Sequence, residues 1–83
     1  MNCDIGIKNR VKRAHGQMQG IINMMDNNAS CEALVNQLKA VRSSVDKVID
    51  LLTTTHLIET IEKEHNIKLE NIHDALKLMI NKR

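Results

Sequence analysis

A chain of 83 residues supplies one domain, and a domain of that size buries too little surface to stand comfortably alone. It has no Phe, Tyr or Trp, so its core has to come from Ile, Leu, Val and five Met, which suits helix-on-helix packing and argues against recognition of single-stranded nucleic acid by base stacking. The formal charge of +2 excludes little, but its distribution is uneven: no acidic residue falls between Asp4 and Asp26, whereas Lys8, Arg10, Lys12 and Arg13 lie within six positions.

Met1 to Asp4 reads as a short arm that contains Cys3. Ile7, Val11, Ala14, Met18, Ile21 and Met25 then recur at steps of four and three, which predicts a first helix of about twenty residues. Lys8, Lys12, His15 and Gln19 share another of its faces. Gly6, Gly16 and Gly20 each cost a helix interior roughly 1 kcal/mol relative to Ala. Gly16 and Gly20, four apart, read in two ways: as the place where another helix backbone approaches closely, or as a cost that packing outweighs. Asp26-Asn27-Asn28-Ala29 is a run of turn formers, short enough to fold the first two helices into an antiparallel hairpin.

From Ser30 to about Glu62 the spacing predicts one unbroken helix, with Leu34, Leu38, Val41, Val45, Val48 and Leu52 on its apolar stripe. Ser30 is placed to cap it, and Glu32 suits the positive end of its dipole. His65-Asn66 reads as a break. Leu69, Ile72, Leu76, Met79 and Ile80 form a short amphipathic third helix, whose end Asn81-Lys82-Arg83 suits a helix C-terminus. The expected protomer is therefore all-α, a single domain over residues 1–83 with one long central helix. Its long stripe exceeds what the other two segments could cover, so the protein is expected to be an obligate oligomer.

Two residues of the long helix stand out. Cys31, near the helix N-terminus, is where a thiolate, the reactive and metal-binding species, is favoured. Alone, it reads first as a small apolar packing residue, as free cysteines commonly are. His56, further along the stripe, alone reads as a hydrogen-bonded packing histidine. The two return to nearly the same side of the helix but lie ~37 Å apart along its axis at 1.5 Å per residue. One chain cannot bring them together. An antiparallel copy packed on the same stripe would bring Cys31 of one subunit level with His56 of the other, at two equivalent sites. A thiolate and an imidazole suit Cu(I), Zn(II) or Ni(II), and the thiolate could instead attack an electrophile. Cys3 is either a third donor or a solvated thiol on the terminus. His15, His65 and His73 lack partners at ligand spacing and read as surface residues. No nucleophile-base-orienter set, phosphate loop or carboxylate pair is present, so neither an enzyme nor an organic cofactor is expected.

The Lys8-Arg10-Lys12-Arg13 cluster reads as a solvated helix face, or as a phosphate-binding surface if oligomerisation aligns several copies, with Arg42 and Lys47 extending it. No helix-turn-helix with a short recognition helix is visible. The absence of an apolar run near the ~20 residues that span a bilayer, and of a leader-like segment, leads us to expect a cytoplasmic protein with reduced thiols and no membrane partner.

The order NRVKRAHGQMQGIINMM, SCEALVNQLKAVRSSVDKV and HLIET resembles the copper-sensitive operon repressor family over nearly the whole chain. Other branches of that family sense nickel or cobalt, formaldehyde, and persulfides. The resemblance implies an antiparallel helix-bundle dimer, assembled as a dimer of dimers, that represses by binding operator DNA and releases it when an effector occupies an intersubunit Cys/His site. Copper and persulfide sensors carry a second cysteine one turn after the histidine, and nickel/cobalt sensors a histidine; this chain has Thr60 there. The Cys31, His56, Thr60 combination is similar to the formaldehyde sensors, which join the cysteine to an N-terminal proline amine. The terminus here is Met1-Asn2-Cys3, in which Cys3 could act as a metal donor or as a thiol cross-linking to Cys31. The expectation is a tetrameric repressor that contacts DNA through Lys8, Arg10, Lys12, Arg13, Arg42 and Lys47, with Cys31, His56, Cys3 and Thr60 as its sensing residues. The alternatives are a helical oligomerisation or adaptor protein, and a cytosolic metal buffer.

Overall fold

The computed structural model describes residues 4–81; Cys3, Lys82 and Arg83 lie outside the described residues. Three helices follow in order: α1 (Ile5–Asp26), α2 (Cys31–His65) and α3 (Glu70–Asn81). Each boundary has a local cause. The Asp4 carboxylate accepts the Gly6 N–H at 2.7 Å and starts α1. Asn27 stops it, donating its backbone and side-chain N–H groups to the Asn23 carbonyl, and Asn28 turns the chain with φ of 59°. The Ser30 hydroxyl accepts the Ala33 N–H at 3.1 Å, so the expected cap of α2 is present. α2 runs 35 residues and ends where Asn66 adopts the left-handed conformation, at the expected break.

The hairpin is antiparallel. Ile7, near the start of α1, shares one core with Val48, Leu51 and Ile58 from the second half of α2 and with Leu76 and Ile80 of α3. Ala14, Ile21 and Val41 continue the buried seam toward the loop. Leu51, the most deeply buried side chain, lies one position before the expected stripe residue Leu52, which packs only partly against the core.

The expected stripes divide lengthwise. On α1 every seventh residue, Ile7, Ala14 and Ile21, is buried, whereas the intervening Val11 and Met18 are 50% and 43% exposed. On α2 Val41 and Val48 turn inward, while Leu38 and Val45 are 40% and 42% exposed. A helix pair uses one narrow seam of each partner, and a four-three stripe is wide enough for two neighbours. α3 divides likewise, burying Leu76 and Ile80 and leaving Ile72 and Met79 outside. The molecule is a rod of 56 × 18 × 16 Å. No helix among the described residues is long and apolar enough to cross a membrane.

The glycines separate into two classes. A Cβ on Gly6 would lie 2.5 Å from Ile80 Cγ2 and 2.6 Å from Asn81 Oδ1, so α3 approaches the α1 backbone there. Among the described residues, and apart from the adjoining backbone of α1 itself, nothing lies within 4 Å of a Cβ on Gly16 or Gly20. Gly6→Ala is expected to destabilise the fold by about 1–3 kcal/mol through overpacking, while Gly20→Ala stabilises by up to ~1 kcal/mol through helix propensity. Thermal unfolding checks both; a lowered Tm for Gly20→Ala would place a helix from outside the protomer against that position.

Candidate functional site

Cys31 is the first residue of α2, and its thiol is exposed. His56 is also exposed. Neither residue packs into the protomer core. Thr60, one turn after His56 and half-buried, donates its hydroxyl to the His56 carbonyl at 2.8 Å. That bond keeps Thr60 beside the histidine but directs its proton to the backbone.

An unbroken helix holds the thiol and the imidazole ~37 Å apart, so the two do not meet within one chain. They do share a line. At 100° per residue, Cys31, Leu38, Val45, Ile49 and His56 fall within about 40° of one another around α2. All five are exposed, and the buried Val41 and Val48 lie to one side of them. Among the described residues no group of three or more His, Cys, Asp or Glu is arranged to hold a metal ion. Cys3, the expected third donor, lies outside the described residues.

The basic cluster does not form one surface. Lys8, Lys12 and Arg13 on α1 are exposed, as are Arg42 and Lys47 on α2. Lys8 and Lys12 are one turn apart on one face, and Arg13 is rotated about 100° from Lys12. Arg10 is half-buried and engaged elsewhere: its Nε donates to the Ile80 carbonyl at 2.8 Å and its Nη2 to the Met79 carbonyl at 3.1 Å. The last carbonyls of α3 have no acceptor role left inside the helix, and a planar guanidinium fork satisfies two at once. Gly6 and Arg10, one turn apart on α1, were the available sign of this contact, a small residue beside a cation where a helix end could dock.

His73 corrects a second expectation. It is half-buried rather than a free surface residue, with Nε2 2.6 Å from Glu62 Oε1. The other Glu62 oxygen accepts the Leu69 N–H, also at 2.6 Å, just before α3 begins. An ionised carboxylate only accepts, so His73 Nε2 carries the proton. The Leu69 N–H and then the His73 hydrogen bond hold the Glu62 carboxyl below its ordinary value of 4.5, with burial opposing them and the charges of His73 and Lys68 assisting.

Because the folded value lies below the unfolded one, Glu62 stabilises α3 docking fully above pH 4.5 and loses that contribution as the pH falls through its depressed folded value. The protection of α3 amides, corrected for the intrinsic slowing of exchange in acid, is therefore expected to fall in that range, and Glu62→Gln should abolish the acid step. An unchanged pH profile in the variant would assign the step to another group.

Compared with known proteins, residues 5–81 match the model of a family described as metal-sensitive transcriptional repressor. Curated relatives include copper-sensing transcriptional repressors CsoR. That of Mycobacterium ulcerans (strain Agy99) is 39% identical over 49 residues, covering 59% of this chain and 42% of the relative. That of Bacillus subtilis (strain 168) is 38% identical over 53 residues, covering 64% and 48%. That of Mycobacterium tuberculosis (strain ATCC 25618 / H37Rv) is 27% identical over 74 residues, covering 83% and 62%. The chain thus spans 42% to 62% of the length of these relatives. No solved structure matches the chain.

Proposed function

The chain belongs to the metal-sensitive transcriptional repressor family, and from that premise we propose that it represses transcription by binding operator DNA and lets go when a soft metal ion such as Cu(I) occupies a site between subunits. The sensing residues in this reading are Cys31 of one copy and His56 of another. The observation that carries it is the exposed line Cys31, Leu38, Val45, Ile49 and His56. Three apolar residues between a thiol and an imidazole, uncovered in the protomer, are what an antiparallel second copy would bury. Covering them would set each Cys31 opposite a His56, and a dimer of dimers would multiply the exposed lysines and arginines available to phosphates.

Thiolate and imidazole are donors that suit Cu(I), and when bound the ion would supply a cross-link between the two helices. This chain's residues do the rest. Leu38, Val45 and Ile49 set the register of the pair. Lys8, Lys12 and Arg13, with Arg42 and Lys47, supply the phosphate-facing charge; Arg10 is left out of that set because its fork is committed to α3. The effector has to favour the DNA-free arrangement, typically by about 1–3 kcal/mol.

One observation favours a second reading of the effector. Thr60 offers no soft donor where copper sensors place a cysteine, and Cys31 is exposed, which suits a thiol-reactive small molecule such as formaldehyde, or a persulfide if Cys3 supplies the second thiol. An anaerobic Cu(I) titration of the reduced protein against a competing chelator, with operator release followed in the same samples, separates the two. Release at one ion per subunit supports the metal reading. DNA binding without Cu(I)-driven release, but with release by formaldehyde or polysulfide, supports the other. Metal binding without any DNA binding would leave a buffer, and neither activity would leave a scaffold.

Cys31→Ala is expected to bind operator like the parent protein and to ignore the effector; release of DNA from that variant would remove Cys31 from the sensing site. Lys12→Ala combined with Arg13→Ala should lower the slope of log affinity against log salt by about 2 for each subunit that contacts DNA, with assembly intact. An unchanged slope would move the DNA surface elsewhere.

A further inference from the structure

Resting on the repressor reading, we propose that α3 is a brace joining the His56 end of α2 to the basic segment of α1, with Glu62 and Arg10 as the positioning residues at its two ends. α3 has 12 residues, a length at which an isolated helix is marginal in water. Its buried residues are only Leu76 and Ile80. Its placement therefore depends on its ends. At the N-terminal end the Glu62 carboxylate holds both the Leu69 N–H and His73 Nε2, each at 2.6 Å. At the C-terminal end Arg10 grips the Met79 and Ile80 carbonyls, and Gly6 lets Ile80 come against the α1 backbone.

The positions of the two anchors give the brace its meaning. Glu62 follows His56 by six residues, about 9 Å along α2, and Arg10 sits between Lys8 and Lys12. Leu69 and Ile80 are separated by about 16 Å of helix, which is short and stiff compared with the route back through the hairpin loop. A rotation of the His56 stretch moves Glu62 and with it the start of α3; the far end of α3 then carries Arg10, and the Lys8–Arg13 turn moves with it. Arg10 thus belongs to the DNA response without facing a phosphate. A lysine in its place keeps the charge but cannot grip two carbonyls at once.

Hydrogen exchange on the full-length protein, free of DNA and effector, tests the brace in Glu62→Ala and Arg10→Lys. Glu62→Ala should raise exchange about tenfold along α3 and also at Gly6 to Arg10, at the opposite end; Arg10→Lys should do the same at Leu69 to His73. Acceleration confined to the neighbourhood of each substitution would overturn the proposal, as would parental rates in both variants. Should Glu62→Ala unfold, Glu62→Gln replaces it: this variant keeps an acceptor for the Leu69 N–H but removes the ionised partner of His73, so a smaller rise in exchange is expected, again at both ends of α3. Operator binding then reads the transmission. Effector-free affinity of Glu62→Ala should stay within about threefold of the parent, while the loss of affinity caused by Cu(I), or by formaldehyde if that is the effector, shrinks from the about 5- to 150-fold typical of allosteric systems toward unity. A parental response from a protein whose α3 has come loose would also overturn the brace. Failure of the parent protein to bind operator at all would sink the repressor reading, and exchange alone would then decide whether the two ends of α3 are coupled.

Discussion

The stiffness of α2 is the constraint from which the rest of the structure follows. Thirty-five residues without a proline or glycine form one rod that carries Cys31 at its first position and His56 about three quarters of the way along. No fluctuation short of breaking the helix brings those side chains together. In the proposed function the two groups they offer, a soft sulfur and an imidazole, combine only when two copies pair. The same rod determines how the chain is stabilised: α1 and α3 cover one side of it, and the side bearing Leu38, Val45 and Ile49 stays bare. In the proposed function that one property links assembly to sensing, because the contact that buries the bare side also assembles the site.

The core inside the protomer is narrow. Ile7 of α1, Val48, Leu51 and Ile58 of α2 and Leu76 and Ile80 of α3 form one cluster, Ala14, Ile21 and Val41 are buried beside it, and most other apolar side chains are exposed. With so little buried surface, polar contacts at the element ends carry unusual weight. Asp4, Ser30, Asn27 and Asn66 set where the helices start and stop. Beside the burial of Leu76 and Ile80, Glu62 and Arg10 hold the two ends of the third helix by satisfying backbone groups that a short helix leaves without internal partners. These two side chains connect the region of the candidate sensor to the region of the candidate DNA face.

Much of this was legible in the residues. Three helices, the long central one, the Asn-rich turn, the Ser30 cap and the break at Asn66 all follow from local preferences, which act over a few residues and are visible wherever those residues appear. The family was legible too, through the ordered run of basic residues, Cys31, the QLKAVR segment and His56. The ~37 Å separation of Cys31 and His56, which keeps the two apart within one chain, required only the rise of an α-helix.

The tertiary structure decided what periodicity could not. A four-three stripe states which residues are apolar on one broad face, but not which half of that face meets a neighbour in the same chain. Packing assigned Val41 and Val48 to the inside and Leu38 and Val45 to the outside. It also bonded Arg10 to the end of α3, tied His73 to Glu62 and gave Gly6 a reason to lack a side chain. Each of these joins residues from separate helices, in the case of Arg10 and Ile80 from nearly opposite ends of the chain. Such contacts depend on the relative placement of whole elements, and no local rule of propensity or spacing contains that information.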